Sequence, residues 1–209
     1  MMRPLAALAI AIAAASPARA QVAGLPVFNN GVPRGLTVAL DAGFPDDESG
    51  GGETFALTGG LGFGLLGFTA TLGSTNTDFS DSEVIYGGTA NLRIIGGPLV
   101  PVSVNLQGGL GYTDIDNTRY THVPVGVGVG LTIPLPVLGL KPWIAPRWDY
   151  LETDPDAGSA DSESAFGYSA GLDMNFVFGL GARVAYDSVD RDAGHASTWS
   201  VGAKWTFGL

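Results

Sequence analysis

From Val123 to Ile133 every odd position is a large aliphatic residue (Val123, Val125, Val127, Val129, Leu131, Ile133), and every even one is Gly, Pro or Thr. Successive side chains of an extended strand point to opposite faces, so this stretch predicts a strand with two unlike faces. The same period of two recurs over Leu36–Leu40, Phe55–Phe63, Phe68–Leu72, Val84–Ile94, Val102–Tyr112, Ile144–Tyr150, Phe166–Phe176, Val184–Tyr186 and Trp199–Phe207. One face carries Leu, Val, Ile, Phe, Tyr or Trp; the other carries Gly, Ala, Ser, Thr, Asn and a few charges. Ten strands are predicted, with eight as the alternative if pairing fails at either end. Pro142 and Pro146 mark the expected site of a register break, because proline gives no ladder donor.

The connections alternate as well. Those after the first, third, fifth, seventh and ninth strands are acidic or polar (Phe44–Glu53, Ser74–Glu83, Asp114–Arg119, Glu152–Glu163, Asp190–His195). Those after the even strands, near Gly64-Leu65, Gly96–Pro101, Pro134–Gly139 and Phe178–Leu180, hold no acidic residue. All but four of the 20 acidic residues lie in or beside the odd connections. In an antiparallel meander all odd connections lie at one end, so one end is wet and acidic and the other tight and apolar. Transmembrane β-barrels have this plan, with longer loops outside and short periplasmic turns. An even strand count places both chain ends at the tight end.

The beginning of the chain bears on location. Met1-Met2-Arg3, an apolar run from Leu5 to Ala15 and the small triplet Ala18-Arg19-Ala20 read as a secretory signal peptide at residues 1–20, leaving Gln21 as the new N-terminus. The apolar run falls short of the roughly 20 residues of a spanning helix, and no later stretch is longer, so membrane embedding requires strands. Residues 21–34, broken by Pro26, Asn29-Asn30-Gly31 and Pro33, are expected to be a periplasmic lead-in or a partial plug at the tight end, followed by a barrel over 35–209.

Composition narrows the choice. The net charge of −10 argues against nucleic acid as a partner, and the lack of cysteine excludes disulfide scaffolds and thiolate metal sites. Alternation alone fits a soluble secreted lipid-binding barrel too. The small, weakly charged second face decides between them: a soluble barrel needs a charged exterior, whereas small side chains suit a narrow lumen. Aromatics near strand ends (Tyr86, Tyr112, Trp148, Tyr150, Tyr168, Tyr186, Trp205, Phe207) fit interfacial girdles. The expectation is an all-β, up-and-down antiparallel transmembrane β-barrel in a bacterial outer membrane, in contact with its lipid and lipopolysaccharide.

The last strand, Ser200-Val201-Gly202-Ala203-Lys204-Trp205-Thr206-Phe207, runs polar-x-Gly-x-x-aromatic-x-aromatic. It resembles the C-terminal signal strand of bacterial outer-membrane barrels, with Ser200, Gly202, Trp205 and Phe207 as the matching positions and Gly208-Leu209 as a departure after the usual terminal aromatic. The resemblance implies recognition by the barrel assembly machinery. The whole chain after residue 20 resembles the small outer-membrane β-barrel superfamily that includes opacity-type, porin-like proteins.

Candidate chemistry lies on the inward face. Arg93, Lys141, Arg147, Arg183 and Lys204 share it with Asp41, Asp149, Asp173 and Asp187. Opposite charges confined to a narrow lumen should pair, so a structural ion-pair network is the favoured reading. A charge-lined constriction for small solutes is the alternative. His195-Ala196-Ser197 resembles the His-x-Ser of lipid A deacylase barrels, yet no carboxylate follows Asp192, and a loop histidine is the expectation. His122 is expected to be a packing or pairing residue near the outer rim. Asp154, Asp156, Asp161 and Glu163 suggest divalent cations at an acidic loop without completing a calcium motif. The sequence thus favours a non-enzymatic barrel without cofactor, with a structural or surface-interaction role. The alternatives are a narrow porin-like channel, an outer-leaflet lipid hydrolase and a secreted lipid-binding barrel.

Overall fold

The computed structural model describes residues 23–77, 80–97, 100–115, 117–192 and 194–208. The signal peptide expected over 1–20, Gln21, Asp78 and Leu209 lie outside them. The described chain is almost wholly strand: β1 (Gly35–Pro45), β2 (Glu53–Phe63), β3 (Leu66–Thr77), β4 (Ser80–Gly97), β5 (Val100–Ile115), β6 (Thr118–Leu131), β7 (Ile133–Pro134), β8 (Leu138–Pro155), β9 (Asp161–Phe176), β10 (Leu180–Arg191) and β11 (Gly194–Phe207). Consecutive strands pair antiparallel except β6 with β7, β1 pairs with β11, and β6 pairs with β8, which closes the sheet into a barrel. The ten long strands match the ten predicted segments, except that β6 ends at Leu131 and Ile133 falls in β7. The eleventh, β7, is a two-residue ribbon on the Pro134–Gly139 turn.

Burial runs opposite to that of a soluble protein. Large apolar side chains point outward and stay exposed, as with Leu40 (62%), Phe55 (56%) and Trp148 (56%). The interior holds small residues such as Ala39, Ala56, Ala145 and Ala185, together with Asp, Arg, Lys, Asn and Thr. Water would penalise so large an apolar exterior, and lipid does not, so the soluble-barrel alternative fails. Aromatic pairs form outer belts: Tyr86–Tyr112, Tyr168–Tyr186 and Tyr186–Trp199 toward the acidic end, and Phe63–Phe68 and Trp205–Phe207 toward the tight end.

Two local expectations are corrected. No bulge occurs at Pro142 or Pro146; β8 keeps one register along β9, where these prolines face Leu172 and Tyr168. Pro146 falls in a gap of the β6–β8 ladder between Gly126↔Arg147 and Val129↔Ile144, across which the register continues. The register shifts lie instead near Thr75–Thr77 and at Arg93–Gly97, where Ile94 and Ile95 are both exposed. The acidic connections are also built largely as strand. Ile115↔Thr118 and Arg191↔Gly194 pair across two-residue turns, so the hairpins extend past the aromatic belt as paired ribbon.

The largest departure concerns residues 23–34. They form neither a periplasmic lead-in nor a plug confined to the tight end. They run through the lumen along its length, parallel to β2. Ala23 meets Thr54, the second residue of β2, while a Cβ on Gly62, near its other end, would collide with the carbonyl of Pro33. The strands begin and end at the tight end as expected, but the segment before β1 doubles back, so Ala23 stands at the acidic end.

Candidate functional site: a threaded lumen

The segment 23–34 makes almost no ladder bonds, so its backbone groups need other partners inside the barrel. Charged lumen side chains supply them. The amide of Val27 donates to Asp187 Oδ1 (3.1 Å). Asn30 Nδ2 donates to Asp173 Oδ2 (2.5 Å), and Lys141 Nζ donates to the Asn30 carbonyl. Arg93 Nη2 donates to the Val32 carbonyl (3.2 Å). Pro26 and Pro33 bring no amide hydrogen and so leave fewer donors to satisfy. Phe28 packs edge-on against Trp143, with the Arg183 guanidinium 3.7 Å from its ring centre.

The wall is shaped for this backbone. At Gly43, Gly62 and Gly128 a Cβ would strike the carbonyl oxygens of Gly24, Pro33 and Asn29. Gly128 belongs to the Gly126-x-Gly128-x-Gly130 run of β6; a Cβ on Gly126 or Gly130 would instead meet Arg147 or Lys141 of the neighbouring β8. Beside the segment lies a cavity of about 60 Å³, walled by Thr37, Thr58, Thr69 and Asn91 on β1–β4, room for a few water molecules.

All nine predicted lumen charges point inward, and seven of them sort into three groups. Arg147 on β8 binds Asp149 through Nε (2.8 Å) and Asp187 through Nη2 (2.7 Å), with Ser169 Oγ bridging to Asp187 (2.6 Å). His122 Nε2 completes the group at Asp149 (2.9 Å). Lys204 pairs with Asp173 (2.6 Å), and Arg183 grips Asp41 through two nitrogens. Arg93 and Lys141 serve the threaded segment. Sequence reasoning missed Ser169, Trp143 and Arg191; the last is buried near the acidic end with no hydrogen bond from its guanidinium. Parity along β8, β9 and β10 was the available signal, since all three share a face with Arg147, Asp173 and Arg183.

On β11 the end-motif residues divide by face. Trp205 and Phe207 point outward and stack 4.7 Å apart. Ser200 is fully buried in the lumen wall, and a Cβ on Gly202 would meet Asp41 Oδ1, so this glycine leaves room for the Asp41–Arg183 pair.

The outer rim holds the residues considered for hydrolysis. His195 and Ser197 do not pair. Ser197 donates through its amide (3.0 Å) and hydroxyl (2.7 Å) to Asp46 Oδ2. Asp46 also caps the one-turn 3-10 helix Asp47–Ser49. Burial pushes the Asp46 carboxyl up, but the bonds from Ser49 and Ser197 outweigh it and hold it below the usual carboxylate value. His195 turns instead to Asp190, opposite it on β10 (Nδ1 to Oδ1, 2.6 Å), with Ser188 Oγ 3.4 Å from Nε2. The hydrogen bond to Asp190 raises the imidazole pKa. The missing carboxylate is thus present, upstream in sequence and across the hairpin. Ser188, however, is only 3% exposed. The acids of 154–163 do not converge: Asp161 binds the Ser162 amide, Glu163 binds the Asp192 amide, and among the described residues no cluster of three potential metal ligands occurs.

A closed antiparallel barrel with its apolar residues outside and its charges inside is a transmembrane β-barrel. The chain matches the outer membrane protein beta-barrel domain family over residues 5–207 and belongs to it. Its place is the bacterial outer membrane. Among solved structures, the β domain of the Bordetella autotransporter BrkA overlays with a TM-score of 0.54 at 13% identity, covering 82% of this chain and 98% of that one. The N-terminal β-barrel domain of Pseudomonas aeruginosa OprF gives 0.42 at 10% identity over 83% and 98%, and Ail of Yersinia pestis gives 0.39 at 14% over 84% and 100%. At these identities the likeness concerns fold alone, and of the three only the BrkA overlay is close enough to argue from. No curated protein sequence matches the chain significantly.

Proposed function

We propose that this protein is a closed, non-enzymatic outer-membrane barrel with a structural or surface-interaction role, its lumen sealed by its own residues 23–34. One observation carries the reading: the segment runs along the lumen, bonded to its charged side chains, with a cavity of about 60 Å³ beside it. The lumen charges hold this segment and one another, which supports a filled lumen over a charge-lined path. The nine lumen residues are then structural, and the acidic hairpins form the face presented to lipopolysaccharide, divalent ions or an external partner. The buried position of Ser188 favours the non-enzymatic reading over an outer-leaflet hydrolase, with Ser188, Asp190 and His195 knitting the β10–β11 hairpin. Trp205 and Phe207, side by side on the outer face of β11, are available to the barrel assembly machinery.

The test is single-channel recording of refolded 21–209 in a planar bilayer. The intact protein inserts and stays silent, while a variant lacking residues 23–33 shows stepwise conductance. Steady openings of the intact protein would favour the narrow-channel alternative and overturn the sealed-lumen reading.

A further inference from the structure

The direction of the threaded segment carries a consequence for topology. Its contacts follow one another down the barrel. Ala23 packs on Ile85 and Thr54, and Gly24 lies against Gly43, all near the acidic-loop end of their strands. Val27 reaches Asp187, and Asn30 reaches Asp173. Pro33 meets Gly62 beside the Gly64-Leu65 turn, and Gly35 starts β1 at that same tight end. The order is monotonic, so the chain enters the lumen from the acidic end and leaves it at the turn end. In outer-membrane barrels the end with the longer connections faces outward.

We infer that the N-terminal end of the processed chain is displayed at the cell surface, delivered there through the barrel's own lumen. Ala23, where the threaded segment begins, stands at the outer mouth amid the acidic hairpins, while the C-terminal strand β11 ends on the periplasmic side. The two ends of the described chain are thus on opposite faces of the membrane. The fit of the wall argues that this placement is built in: three glycines clear the backbone of the segment, and Asp187, Asp173, Lys141 and Arg93 each bond to it. The inference rests on the sealed-lumen reading and on processing after Ala20.

The chain has no cysteine, so single thiols report their location without background. Val22→Cys is treated on intact cells with a membrane-impermeant maleimide. Ser159→Cys on the 156–160 loop is the outside control and Val137→Cys in the exposed turn before β8 is the inside control. The expected result is that Val22→Cys labels as fully in intact cells as after outer-membrane permeabilisation, like Ser159→Cys. Labelling only after permeabilisation, like Val137→Cys, overturns the inference, as does a thiol that resists label in both states. A second variant carries an epitope between Ala20 and Gln21 and is expected to bind antibody on intact cells. A protein that stays electrically silent while Val22→Cys reacts only from the periplasm would leave the sealed lumen standing and reverse the direction of threading. A conducting protein would remove the sealed lumen itself.

Discussion

Arg147 is the residue on which most of the lumen bonding converges. Its side chain is 2% exposed and that of Asp149 0%, and Asp187 shares the same guanidinium. Removing the cation strands two buried carboxylates, so Arg147→Met is expected to cost about 3–5 kcal/mol, read as a lower urea midpoint in detergent micelles. Arg119 and Asp114 form an ion pair with both side chains more than 60% exposed, and Arg119→Ala should change stability by about 0–1 kcal/mol. Equal effects of the two substitutions would refute the difference in burial. The rim adds a pH dependence. Asp190 raises the pKa of His195, so its clasp contributes fully below the unbound imidazole value and is lost as pH rises through the raised one. Asp46 behaves oppositely: its pKa is lowered, so its contribution is present above the ordinary carboxylate value and lost as pH falls through the lowered one. A proton NMR titration of His195 should move toward the ordinary imidazole value in Asp190→Asn; an unchanged midpoint would show that Asp190 is not its cause.

The strand and the lumen segment are the elements that matter. Gly128 sits where β6 passes closest to Asn29. Gly128→Val is expected to push the segment off the wall, giving conductance in a planar bilayer or, at the least, a lower thermal transition. A silent protein with the parent's transition would mean that the segment does not lie against β6. This element also marks how far the sequence could be read. Period-two alternation located every long strand, because strand faces in a barrel are strictly inside or outside. It placed the nine lumen charges by parity alone. The path of residues 23–34 was not legible, since a segment with Pro26, Gly31 and Pro33 has no period, and its partners lie on strands far away in sequence. A clue was present in the glycines of β6. Their regular spacing says that something with no room for a Cβ lies opposite, but not what. Ser188 and Asp190 as partners of His195 were hidden for another reason: they become neighbours only through the exact hairpin register of Ser188↔Ser197 and Asp190↔His195.

At the scale of the whole molecule, the barrel is a membrane protein by its outer face and a packed protein by its inner one. The outer face requires only lipid, which the exposed Leu, Val, Phe and Trp residues meet in belts. The inner face solves a packing problem: ten long strands enclose more space than the side chains of an eight-stranded barrel fill, and the chain's own N-terminal segment occupies the difference. Small wall residues, lumen charges and the proline-broken lead-in are then parts of one arrangement. The most direct test of it is a disulfide trap. Val32 Cγ1 stands 3.5 Å from the position of a Cβ on Gly60, in the wall of β2, within the reach of a disulfide. Val32→Cys with Gly60→Cys should cross-link on mild oxidation in native membranes and shift the protein's mobility on a non-reducing gel, whereas Val32→Cys with Ser159→Cys should not. Two free thiols at positions 32 and 60, both open to maleimide in the folded barrel, would show that the segment lies outside the lumen.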